Sequence, residues 1–214
     1  MAKVSPSVLT CDFLSFKECL LELESTGVDM LHIDVMDGNF VPNISFGVPL
    51  IKSIRKYTTI PIDTHLMIDK PHRYIEDFAK YSDWLGFHYE AGSDCEATLK
   101  KIRELGLKST ITIKPQTEAE EIFHLLPLCD MVLVMSVEPG FGGQRFMESA
   151  LSKIEVLKKE RENQGLDFLI EVDGGINYET APLAVAAGVD VLVAGSFVFD
   201  SGNMTEKING LKSL

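Results

Sequence analysis

Four side chains in this 214-residue chain have the types and spacing to hold one metal ion: His32 and Asp34 in LHIDVMDG, His65 in IDTHLMI and Asp173 in EVDGGI. Each closes a short apolar run of strand character. Residues two apart on a strand project to the same face, so His32 shares a face with Asp34, and His65 with Met67. Imidazole nitrogens with carboxylate oxygens form a donor set for a single divalent cation. Zn²⁺ suits it best, and Fe²⁺, Mn²⁺ and Co²⁺ accept the same ligand types. Taken alone, His32–Asp34 reads equally well as a hydrogen-bonded pair. A second histidine and a distant aspartate on converging strands tip the reading to a metal site.

A second group of residues points to an anion. Gly140, Phe141, Gly142 and Gly143 lie in the loop after the sixth apolar run, Gly174 and Gly175 follow Asp173 after the seventh, and Gly195-Ser196 follows the eighth. Three glycine-rich loops on neighbouring strands offer backbone N–H groups to one phosphate dianion without a dedicated lysine. The plainer reading is three flexible turns. Met36, Met67 and Met135 fall near strand ends, where they would wall an apolar pocket or simply fill the core. Glu171, two before Asp173, is expected deeper in the same interior. His88 stands at a strand end in a supporting position, whereas His72 and His124 read as surface residues. Lys114, before Pro115, reads as part of a structural turn.

These groups meet only if the chain brings its strand ends together. Short apolar, β-branched runs at roughly 3–8, 30–35, 60–66, 84–88, 108–113, 131–136, 168–172 and 190–194 predict eight strands covered by helices. Helical segments alternate with them, clearest at 15–26, 93–105, 149–163 and 178–187. Ser15, Ser93 and Ser149 are the predicted N-caps, and Gly27, Gly106 and Gly188 the predicted C-terminal glycines. Several helices deliver an aspartate at the start of the next strand (Asp29, Asp83, Asp130, Asp190), where turn chemistry is expected. Eight βα units imply a (β/α)₈ TIM barrel occupying residues 1–214 as a single domain. An open doubly wound sheet would carry a glycine-rich turn after its first strand, where this chain reads SPSVLTCDF. In a barrel, the candidate ligands and the glycine-rich loops stand on the face where catalytic groups gather, and the four aspartates on the opposite face, the one associated with stability.

Composition narrows the partners. With 20 basic and 32 acidic residues, the net charge of −12 argues against nucleic acid and against an anionic membrane surface. No apolar run approaches the roughly 20 residues needed to span a bilayer. Cys11, Cys19, Cys95 and Cys129 show no C-x-x-C spacing, so a reduced, cytoplasmic protein with structural thiols is expected.

Together the stretches SPSVLTCDF, HIDVMDGNFVPNISFG, HLM, SVEPGFGGQRF, EVDGGI and AGS closely resemble the ribulose-phosphate 3-epimerase family, in order and over almost the whole chain. The resemblance implies a barrel enzyme that interconverts phosphorylated ketopentose epimers at carbon 3. It implies His32, Asp34, His65 and Asp173 as metal ligands, with Asp34 and Asp173 also as acid/base groups. It assigns substrate contacts to Ser7, His65, Asp173 and the loops at Gly140–Gly143, Gly174–Gly175 and Gly195–Ser196, and it implies a homo-oligomer. Thr10-Cys11, Thr64 and Tyr89 depart from the usual family residues and bear on the choice of sugar. The chemistry is coherent on its own terms. Epimerising a carbon beside a ketone requires removal of its proton and return of one to the other face, a task for two opposed groups, one ionised and one protonated. A ketohexose phosphate such as D-allulose 6-phosphate is the nearest rival substrate. A related phosphate-binding barrel decarboxylase would carry Asp-x-Lys-x-x-Asp, and the residues after Asp34 are Val-Met-Asp, with no lysine.

Overall fold

A computed structural model describes residues 1–200 and 202–214. Eight parallel strands form one sheet: β1 Lys3–Pro6, β2 Leu31–Met36, β3 Ile62–Met67, β4 Trp84–His88, β5 Lys108–Ile113, β6 Met131–Met135, β7 Leu169–Asp173 and β8 Val191–Ala194. The order β1-β8-β7-β6-β5-β4-β3-β2 curls the sheet into a ring, and a bridge between Ser7 and His32 closes it between β1 and β2. All eight predicted strands are present, displaced by no more than a few residues. Between them run α1 Phe16–Thr26, α2 Val48–Ile54, α3 Ile75–Ala79, α4 Cys95–Glu104, α5 Ser149–Gln164, α6 Ala181–Ala187, α7 Ser196–Phe199 and α8 Met204–Lys212. After β5, two 3₁₀ turns at Ala119–Ile122 and Leu126–Leu128 take the place of an α-helix.

The period of two divides each strand between two environments. Val4, Ile33, Val35, Leu66, Phe87, Ile111, Val134, Val172 and Leu192 face outward into the core shared with the helices. The alternate residues fill the barrel. Met30, Met131 and Val191, with Trp84 and Leu169 packed on them, plug its lower end. Above that plug the interior turns polar, with Ser5, His32, Asp63, Thr110, Thr112 and Glu171 all buried. An interior lined this way disfavours simple hydrophobic filling and suits a charged occupant near the mouth.

The predicted caps need correction. Asp94, not Ser93, caps α4, its carboxylate accepting from the Ala97 N–H at 3.0 Å. Ser149 is the first residue of α5, after Glu148, whereas Ser15 does occupy the N-cap position of α1, without a side-chain capping bond. A serine and an aspartate side by side are near-equal caps, so the way the backbone turns into the helix decides between them. Gly27, Gly106 and Gly188 do end their helices, with φ of 65°, 84° and 120°.

The four aspartates at the lower end have a shared task. Val4 N–H donates to Asp29, Ile62 N–H to Asp83, Ser109 N–H to Asp130 and Ile170 N–H to Asp190, at 2.8–3.0 Å. The backbone N–H of each aspartate donates back to the carbonyl of the same partner residue. Every odd-numbered strand is therefore clamped to the next by a two-way bond. Lys212, Arg55, Lys108 and Arg161 each sit on one of these carboxylates.

Candidate active site

At the opposite end of the barrel, parallel pairing puts His32 beside Asp63 and Asp34 beside His65 on β2 and β3, while Asp173 ends β7 beside Met135. The donors of His32, Asp34, His65 and Asp173 all fall within 4.8 Å of one another. His32 Nε2 lies 3.3 Å from His65 Nδ1 and 3.3 Å from Asp34 Oδ1; His65 Nδ1 lies 3.2 Å from the same Asp34 oxygen; Asp173 Oδ2 lies 3.9 Å from His32 Nε2. Ligands at the usual Zn–N and Zn–O lengths sit about 3.3–3.4 Å apart around a tetrahedral ion. The spacing of the first three donors matches that figure, and Asp173 needs only a small inward swing. Two imidazoles and two carboxylates of this size fit a divalent cation.

The electrostatics separate the two acids. Burial alone would push the Asp34 carboxyl up, but the charge and hydrogen bond of His32 hold it well below the usual carboxylate range. Ser7 Oγ also donates to Asp34 Oδ2 at 2.6 Å. Burial, and then the negative charge of Asp34, push Asp173 up to about 7. His32 is drawn toward protonation by Asp34 and Asp63 despite its complete burial. Deeper still, burial and the neighbouring Asp63 raise Glu171 well above its ordinary value. Among the described residues, neither Glu171 oxygen has a hydrogen-bond partner, and Oε1 lies 4.0 Å from His32 Nδ1.

Asp63 and Ser136 are not singled out in the sequence, and Glu90 stands there only as a polar strand end beside His88; all three are supporting residues. Asp63 Oδ2 accepts from His32 Nδ1 at 2.7 Å and so turns Nε2 toward the other donors. Asp63 lies two before His65, so the alternation that paired His32 with Asp34 also put Asp63 inside the barrel. Ser136 Oγ donates to the carbonyls of Asp173 and Gly174 at 2.9 and 2.8 Å, tying the end of β7 to the loop after β6. Glu90 accepts from His88 Nδ1 at 3.3 Å.

Above these groups opens a cleft of about 510 Å³, its mouth included. Ser7, Asp34 and Asp173 line it, as do Gly140, Phe141, Gly142, Gly143, Gly174, Gly175, Gly195 and Ser196; Met36, Met67 and Met135 form its apolar wall. His32 and His65 lie beneath, buried. The three glycine-rich loops thus share one cavity with both aspartates. Two glycines are sterically required. A Cβ on Gly174 would lie 2.6 Å from Val137 Cγ, and one on Gly175 would run into the Phe146 backbone; their φ values of 127° and 65° also exclude most side chains. Of the remaining polar residues, His72 and His124 are exposed, and Lys114 Nζ rests 3.8 Å over the Phe40 ring.

Comparison with known proteins agrees with this architecture. The model of the ribulose-phosphate 3 epimerase family matches residues 3–199. The chain belongs to that family. It is 44% identical over 214 residues to ribulose-phosphate 3-epimerase of Bacillus subtilis, covering 99% of each chain. It is 42% identical over 213 residues to the enzyme of that name from Synechocystis, covering 98% of this chain and 93% of the other. Among solved structures, a protein titled KGPDC from Streptococcus mutans superimposes with a TM-score of 0.72 at 14% identity, over 100% of this chain and 96% of the other. A 3-hexulose-6-phosphate synthase gives 0.68 at 17% identity, over 99% and 98%. These last two speak for the barrel alone. Among the described residues, no helix is long and apolar enough to cross a membrane.

Proposed function

We propose that the chain is a metal-dependent 3-epimerase of a phosphorylated ketose, interconverting D-ribulose 5-phosphate and D-xylulose 5-phosphate. Relatives across its full length carry the name ribulose-phosphate 3-epimerase. The observation that carries the chemistry is the pair Asp34 and Asp173, two carboxyls at one point whose surroundings drive their proton affinities apart. They come from β2 and β7, three strands apart round the ring, and a substrate carbon seated between them is reached from two sides. Asp34, ionised, accepts the carbon-3 proton; Asp173, poised near neutrality, returns one to the opposite face. In the reverse reaction the roles exchange.

His32, Asp34, His65 and Asp173 would hold the metal, for which we favour Zn²⁺ over Fe²⁺, Mn²⁺ or Co²⁺ on ligand type. When bound, such a cation supplies Lewis-acid stabilisation of the negative charge that develops as carbon 3 loses its proton. The glycine loops orient the phosphate, and the methionine wall excludes water from the reacting carbon. Ser7 fixes the Asp34 carboxylate by its hydrogen bond. The same reading makes the protein a cytoplasmic homo-oligomer, supported by four free cysteines and by the exposed Phe13, Leu14 and Leu21.

The test is turnover in D₂O with a defined metal, comparing kcat/KM on D-ribulose 5-phosphate and D-allulose 6-phosphate. The pentose should be preferred, with solvent deuterium entering at carbon 3, and chelation should abolish both until metal is restored. Asp173→Asn should lower kcat by about 10²–10⁴-fold. Full turnover by that variant, or by a verified metal-free preparation, would refute the mechanism.

A further inference from the structure

A line of buried side chains runs away from the metal-binding group through three strands. His65 Nε2, the ring nitrogen that faces away from Asp34, lies 2.9 Å from His88 Nε2. His88, fully buried on β4, turns its other nitrogen to Glu90 Oε2 at 3.3 Å. The second Glu90 oxygen accepts from the Lys114 backbone N–H at 2.9 Å and from the Thr117 hydroxyl, both beyond the end of β5. We infer that His88 and Glu90 are positioning residues, a relay that decides which nitrogen of His65 is free to bind the metal. The inference rests on the metal reading above.

The argument is one of donor and acceptor counting. A neutral imidazole has one N–H and one lone pair. Glu90 accepts at both oxygens: Lys114 and Thr117 supply hydrogens to one, and among the described residues His88 is the partner of the other. His88 Nδ1 must therefore carry the hydrogen, leaving its Nε2 as a lone pair. That lone pair is satisfied only if His65 Nε2 carries a hydrogen. His65 Nδ1 is then the lone pair, and it is this atom that lies 3.2–3.3 Å from Asp34 and His32. The polarity read from the carboxylate end and the polarity required at the metal end agree. His32 is set in a single step by Asp63; His65 has no carboxylate beside its Nε2, and the relay supplies one at a distance.

Glu90→Gln is the discriminating variant, since it keeps the shape and removes the polarity. With its amide oxygen retained by Lys114 and Thr117, the –NH₂ group faces His88 Nδ1 and forces the hydrogen onto Nε2. That inverts His65 and points an N–H at the metal. Zn²⁺ affinity, measured by competition with a chromophoric chelator, should fall about 10–100-fold. The melting temperature of the metal-free protein serves as the check on folding. Thr117→Val leaves the carboxylate and its polarity, and should retain wild-type Zn²⁺ affinity. Nitrogen-15 NMR of the imidazoles in metal-free protein should find hydrogen on Nε2 of His65 and Nδ1 of His88, and both assignments should reverse in Glu90→Gln. Unchanged Zn²⁺ affinity in a folded Glu90→Gln variant, or hydrogen on His65 Nδ1 in the wild type, would overturn the relay. If the wild type bound no divalent ion, the metal reading would fall while the NMR measurement still decided the relay.

Discussion

Asp173 carries the most consequential proton in the site. An aspartate in an unfolded chain releases its proton near pH 4, whereas burial and the Asp34 charge hold the proton on Asp173 to about pH 7. Between these limits the folded state binds more protons than the unfolded state, so this group's contribution to stability falls as pH rises. It is fully present below about pH 4 and lost above about pH 7, a difference of up to ~4 kcal/mol. Thermal melts of metal-free protein across pH 4–8 should show this decline in the wild type, relative to Asp173→Asn, which has no proton to lose. Parallel pH profiles for the two proteins would contradict the raised proton affinity. In the mechanism proposed above, this carboxyl is useful because it is unstable as an anion where it stands.

At the scale of elements, the site depends on loops pressed against one another. The turn after β7 passes so close to the loop after β6 that Gly175 has no room for a methyl group beside Phe146. Gly175→Ala is expected to cost about 1–3 kcal/mol through its left-handed backbone alone, and to raise KM for the sugar phosphate by displacing both loops. Urea denaturation with steady-state kinetics checks both effects; wild-type values would show that the loops can part freely. How much of this was legible follows from the type of signal each residue gives. His32, Asp34, His65 and Asp173 announce themselves because titratable side chains end apolar runs, and the period of two fixes their face. The β2–β3 register, which sets Asp63 beside His32, is a relation between two strands and leaves no mark within either one. The role of Glu90 was hidden for a like reason, since its partners come from β4 and the turn after β5. Capping was misplaced at Ser93 because adjacent candidates differ only in how the backbone turns, and local sequence does not separate them.

For the whole molecule, the two ends of the barrel have separate duties, and substitutions should divide accordingly. Asp130 is mostly buried at the lower end and receives hydrogen bonds from the Ser109 backbone and hydroxyl and from Lys108. Removing it in Asp130→Ala leaves the buried Ser109 N–H without its acceptor and is expected to cost about 1.5–3 kcal/mol. Denaturant titration should show this loss while kcat/KM stays at the wild-type value. A loss of turnover without a loss of stability would contradict the separation.

The four aspartate clamps also bear on how the ring is built in time. Each joins residues only 20–25 positions apart, so the loop closed in forming it is short and its entropic cost modest. Four strand pairs can thus settle their register while the rest of the chain is still unstructured. The contact between β1 and β8, pairing Lys3 with Val191, spans nearly the whole polypeptide and gains little until those pairs exist. A parallel barrel, whose topology would otherwise make for slow and error-prone assembly, is here divided into four local decisions, three joins between neighbouring pairs and one final closure.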